Sequence, residues 1–111
     1  MRRPATSTVT AFRLTPAQAE RRIHEIAKTT ANVIFGTHAL ERMEERGITD
    51  AQVFEVLRRG RVSEPLVQTE FGEWKCKITE QLRGRRSVGA VTIFLHNGKL
   101  FLKTVEWEDI R

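Results

Sequence analysis

At 111 residues the chain has room for one domain, with a core that needs no disulfide staples. Nineteen Lys and Arg stand against fourteen Asp and Glu, a net charge of +5 that favours a polyanionic partner, most often nucleic acid. The single cysteine, Cys76, excludes an internal disulfide and a cysteine metal cluster, and no apolar run reaches membrane-spanning length.

The opening Met1-Arg2-Arg3-Pro4 has none of the apolar stretch of a secretory signal. A lone thiol suits a reducing compartment, so the expected location is cytoplasmic. Residues 1–12, rich in Thr and Ser, read as a flexible arm, and 13–111 as a single domain. A first helix opens at Thr15, with Pro16 at its first position and Gln18 placed for a capping box. Ala19, Ile23, Ile26 and Ala27 make its apolar stripe, which fades by Thr30. Val33-Ile34-Phe35 reads as a strand or an extended link. A second helix, capped by Thr37, runs to Arg46 and ends at Gly47, where a left-handed residue is wanted. A third is capped by Thr49, with Gln52 three residues on, carries Val53, Val56 and Leu57 inward, and closes at Gly60.

After Gly60 the period changes to two. Arg61 to Val67 suggests a strand interrupted by Pro65. Trp74 to Glu80 alternates Trp74, Cys76 and Ile78 against Lys75, Lys77 and Thr79. A basic loop from Gln81 to Arg86 follows. Ser87 to Leu95, apolar on both faces, reads as a central strand. Asn97-Gly98 predicts a two-residue hairpin turn, and Leu100 to Glu106 the returning strand. The expected class is α+β, with N-terminal helices packed on a three- to four-stranded antiparallel sheet.

The second helix carries the residues with chemistry. Ala39, Leu40 and Met43 share a face and should point at the core, while His38, Arg42 and Arg46 recur at four-residue spacing along another flank. A histidine titrating near neutrality can give or take the proton of a 2′-hydroxyl or a leaving oxygen. An arginine can hold the scissile phosphate with two donors and stabilise its developing charge. No metal or other cofactor is required. On spacing alone the commoner reading of such a row is a solvated face, paired with Glu41 and Glu45.

The stretch from Thr37 to Val53, with Leu57-Arg58-Arg59-Gly60 closing the next helix, resembles the signature of a bacterial domain-of-unknown-function family. That signature has a His-Ala, an Arg four residues after the His, a second Arg before Gly-Ile, and a Leu-x-x-Gly ending. The later Trp74-Lys75-Cys76-Lys77 strand and Thr104-Val105-Glu106-Trp107 also resemble the family, so the likeness spans residues 32 to 108. It implies a fold like RelE and MqsR toxins, within a nuclease group that includes barnase, EndoU and colicin-type enzymes. It further implies a metal-independent endoribonuclease of a toxin–antitoxin system, with RNA as substrate and a cognate antitoxin protein, sometimes of MqsA type, as partner. Carried over by position, His38 would be general base or acid. Arg42 and Arg46 would hold phosphate, and the Thr104 hydroxyl would orient phosphate or histidine. The first helix precedes the matching core and is expected either to cover the sheet or to receive a partner.

Lys75, with Arg83, Arg85 and Arg86 of the basic loop, would track an RNA backbone, although strand lysines such as Lys75, Lys77 and Lys103 more often keep an edge soluble. Trp74 and Trp107 would stack on bases, but packing is the commoner role for both. His24 and His96 read as surface residues, and Cys76 as a buried structural thiol. A non-catalytic RNA-binding module and a protein-interaction module (an inhibitor or phage accessory factor) on the same fold are the competing functions.

Overall fold

The computed structural model describes residues 14–108, with every side chain in that span except that of Arg85; the expected arm lies outside the described residues. Helix α1 (Pro16–Ile26) opens on the anticipated capping box, the Thr15 hydroxyl accepting from the Gln18 backbone while the Gln18 side chain returns the bond. A 3₁₀ turn, Thr30–Asn32, leads into β1 (Val33–Phe35). Helix α2 spans Thr37–Arg46 and ends at Gly47, whose φ of 66° is the left-handed conformation a C-terminal glycine supplies. Its N-cap is Gly36 rather than Thr37, and no side chain caps it. Helix α3 (Asp50–Arg59) begins with the Thr49–Gln52 capping box.

Five strands form one sheet in the order β1-β5-β4-β3-β2. They are β2 (Val67–Gln68), β3 (Trp74–Gln81), β4 (Ser87–Phe94) and β5 (Leu100–Trp107), together with β1. The sheet is mixed rather than wholly antiparallel. β1 pairs with β5 in parallel, Val33 opposite Leu100 and Phe35 opposite Leu102, while every other pairing is antiparallel. The strand expected over Arg61 to Val67 reduces to one bridge, Arg61 to Thr79, and the short β2, with Pro65 in the gap, where it has no N–H to give a ladder. The β4–β5 turn spans His96, Asn97 and Gly98 rather than two residues: Leu95 pairs with Lys99, and Gly98 takes φ 87°.

One face of the sheet is covered. α3 lies on β3 and β4, and α2 lies along β5. Beneath them Ile78, Val88, Ala90, Leu102 and Val105 are fully buried against Val53, Val56 and Leu57. Cys76 is buried in the same layer, and burial pushes its thiol up to about 11. Helix α1 covers α3 from outside with Ala19, Ile23 and Ala27. Three polar ties hold it: His24 Nε2 donates to Gly60 O at 2.8 Å, Arg58 Nε to Ala27 O at 2.8 Å, and the Val62 N–H to Glu20 Oε1 at 3.0 Å. His24 is therefore a half-buried tie between helices, not a surface residue.

The opposite face of the sheet is open. Register places Lys75, Ile93 and Phe101 side by side on it, then Lys77, Val91 and Thr104, then Thr79, Gly89 and Glu106. A bulge in β5 shapes this face. Thr92 pairs with Leu102 but Val91 pairs with Thr104, so Lys103 is an extra residue. The bulge shifts the strand's parity, and Leu102 and Val105, three apart, both reach the core.

Candidate functional site

The row His38, Arg42, Arg46 lies at the seam between α2 and β5. β1 stops pairing at Leu102, where the Gly36 N–H donates to Leu102 O at 2.9 Å. From there α2 takes over the edge of β5 and runs beside it in the same direction. At its far end Arg46 Nη1 donates to Val105 O at 2.9 Å, and the Trp107 indole N–H donates to Arg46 O at 2.8 Å. These two bonds staple the last turn of α2 to β5, and the Trp107 N–H supplies the donor that a carbonyl at the helix end otherwise lacks. By helical spacing Arg42 and His38 lie one and two turns back along that flank.

The structure thus brings Arg46 to the carbonyl of Val105, the residue after Thr104, while the Thr104 side chain itself lies on the other, open face of the sheet. Arg46 spends one of its five guanidinium donors on the protein, which leaves the rest for an anion. Arg42 donates to Glu45 Oε1 at 2.8 Å. His38 is 76 % exposed, and its charged partner is Glu41, with Nδ1 3.4 Å from the carboxylate. Thr104 is half-buried on the open face opposite Val91. No hydrogen bond joins His38 to Thr104, and no residue of the sheet fixes the imidazole ring. Of the three apolar residues expected to face the core from this helix, Ala39 is fully buried and Met43 half-buried, but Leu40 is 53 % exposed. Leu40 lies instead beside Phe35 and Met43 in an apolar surface patch.

The basic loop folds toward the same seam. The Leu82 N–H closes it by donating to Arg86 O, at 2.6 Å, and the Arg86 guanidinium lies over the Trp107 ring at 3.8 Å. Trp107, holding the Arg46 carbonyl through its N–H and Arg86 through its face, therefore joins two basic segments forty residues apart in sequence. Arg83 is exposed in the 3₁₀ turn Arg83–Arg85; the Arg85 side chain lies outside the described set. Lys75 is elsewhere, on the open face beside β2. Trp74 is directed to the covered side, half-buried near Pro16, Pro65 and Leu66.

Sequence reasoning missed the charged group on the open face. Lys77 Nζ lies 3.3 Å from Glu106 Oε2 and 3.0 Å from Glu108 Oε1. The hydrogen bond to Glu108 chiefly holds the ammonium above its ordinary lysine value. Gly89 makes this possible, since a Cβ there would stand 2.5 Å from Glu108 Oε2. The signal was a glycine inside an otherwise apolar strand, which marks a close approach. The structure also exposes Phe71, 73 % accessible at the β2–β3 turn, for which local pattern gave no warning.

Among the described residues, no three His, Cys, Asp or Glu side chains group as metal ligands would, and no helix is long and apolar enough to cross a membrane. A family model described as a domain of unknown function (DUF4258) matches residues 35–107, from the last residue of β1 to the last of β5. No curated protein and no solved structure matches the chain.

Proposed function

The chain belongs to the DUF4258 family, and from that premise we propose that it is a metal-independent endoribonuclease, a toxin held in check by a cognate antitoxin protein. The observation that carries this reading is the Arg46–Val105 bond, which anchors the His38, Arg42, Arg46 row against the strand that bears Thr104. Arg42 and Arg46 bind the scissile phosphate, with Arg86 extending the basic surface from across Trp107. His38 moves the proton of the attacking 2′-hydroxyl or of the leaving 5′-oxygen. Its exposure suits a group that meets a large substrate rather than a buried pocket. Thr104 offers a hydroxyl that makes no hydrogen bond to another described residue. The antitoxin would cover the apolar patch around Leu40, on the same helix.

The position of His38 also favours a second reading. With Glu41 as its charged partner and nothing from the sheet to orient it, the ring belongs equally to a surface that binds RNA without cutting it. Purified wild type and His38→Ala, incubated with single-stranded RNA, separate the two. Cleavage lost in the variant with RNA affinity retained supports the nuclease; equal affinity and no cleavage by either supports the binding module.

A further inference from the structure

The open face of the sheet holds a cavity of about 560 Å³, within the roughly 300–1,000 Å³ of small-ligand sites. Its floor is Ile93 and Phe101, its cationic wall Lys75 and Lys103, and its rim Phe71 with Glu70. No helix covers it.

Phe71 is the informative residue. Its phenyl ring is 73 % exposed at the edge of the cavity, and its turn holds it there. Thr69 Oγ1 accepts from both the Phe71 and the Glu73 N–H at 3.2 Å, and the Thr69 N–H donates to Glu73 O at 2.7 Å. His96 props the turn from the next hairpin, its Nε2 donating to Phe71 O at 3.3 Å. On the far side Phe101 packs against Gly36, where a Cβ would stand 2.5 Å from the ring tip, so its position is fixed too.

The charges are divided. Glu73 is occupied, accepting from the His96 backbone N–H at 3.3 Å. Lys75 and Lys103 have no ion-pair partner among the described residues, in contrast to Lys77 on the same face. Lys103 stands two residues from Phe101 in β5 and lines the same cavity.

We propose that this cavity binds one nucleotide unit of a single-stranded RNA, the base against Phe71 and Phe101 and the phosphate between Lys75 and Lys103. Aromatic rings accept any base by stacking, and two unpaired ammonium groups supply the matching charge for one phosphate. The Glu70 carboxylate accepts from an exocyclic amino group of the base. The site rests on the RNA reading above and adds to it a holding point on the open face, across β3, β4 and β5.

The test is titration of the full chain, wild type, Phe71→Ala and Lys103→Ala, with adenosine and guanosine 5′-monophosphate, followed by amide NMR. Both side chains are exposed, so an unchanged circular dichroism melting curve establishes that the variants fold. The expected result is saturable shifts at Phe101 and Lys103, with affinity about tenfold weaker in Phe71→Ala and severalfold weaker in Lys103→Ala. Absence of nucleotide binding, binding unaffected by Phe71→Ala, or an acidic peptide of Glu residues that binds the cavity and displaces the nucleotide would overturn it. The two readings fail separately. RNA cleavage dependent on His38 without mononucleotide binding removes this site alone. Phe71-dependent binding without cleavage removes the nuclease alone.

Discussion

The two faces of one sheet do different work. On the covered face, strands alternate into a layer where Ile78, Val88, Leu102 and Val105 have no solvent exposure. Across the same backbone, one residue away, stand Lys75, Lys77, Thr104 and Glu106, with Phe71 reaching over from a turn. The first face can be substituted only at a cost in stability; the exposed positions of the second, unlike the tightly fitted Gly89, can be substituted with little. Residues on the open face are therefore free to be chosen for binding, and the seam where α2 meets β5 belongs to both, because Arg46 is at once a staple and a cation.

Substitutions graded across that divide would break or sharpen it. Leu57→Ala and Ile78→Ala remove fully buried side chains and should each destabilise by about 2–5 kcal/mol in urea unfolding. Arg46→Ala should cost about 1–3 kcal/mol by freeing the end of α2, and should also weaken RNA binding with a salt slope reduced by about one. Arg42→Ala, whose partner in the free protein is an exposed glutamate that an RNA phosphate would replace, should also reduce the slope but leave stability within about 0.5 kcal/mol. If Arg42 and Arg46 change stability alike, the staple assigned to Arg46 is wrong. Thr49→Ala, which removes the hydroxyl half of a capping box, should cost about 1 kcal/mol with no effect on RNA. On the open face, Lys103→Ala and Thr104→Val should leave the melting temperature nearly unchanged.

The covered face also has a pH signature. The Cys76 thiol, raised by burial from 9.0 to about 11, keeps its proton in the folded protein after the unfolded chain has lost it. Its contribution is full below pH 9 and is lost as pH climbs from there to about 11. Cys76→Ala should flatten that part of the stability profile, and native protein at pH 8 should react with iodoacetamide far more slowly than protein unfolded in urea.

What could be read in the sequence follows from the range of the forces involved. The capping boxes at Thr15 and Thr49 are complete within four residues, and the alternation in β3 and β4 repeats often enough to fix their faces. β1 has three residues and a partner more than sixty positions on, so nothing local distinguished a parallel strand from a link. The β5 bulge defeated simple alternation, because one extra residue reverses which side chains reach the core. His24 reads locally as a surface residue, yet its hydrogen-bond partner is a carbonyl thirty-six residues away. The basic row on α2 was visible from its spacing, and so was the arginine loop. Their meeting at Trp107 was not, since Trp107 serves as a joint only once β5 is laid against α2.

The most direct test is induced expression of wild type and His38→Ala from a tightly repressed promoter in a bacterial host, with growth and total RNA followed over time. The account predicts arrest with RNA fragmentation for the wild type and neither for His38→Ala, whose exposed side chain leaves the fold intact. Growth and RNA that are the same for both proteins, whether harmless or toxic, would contradict it.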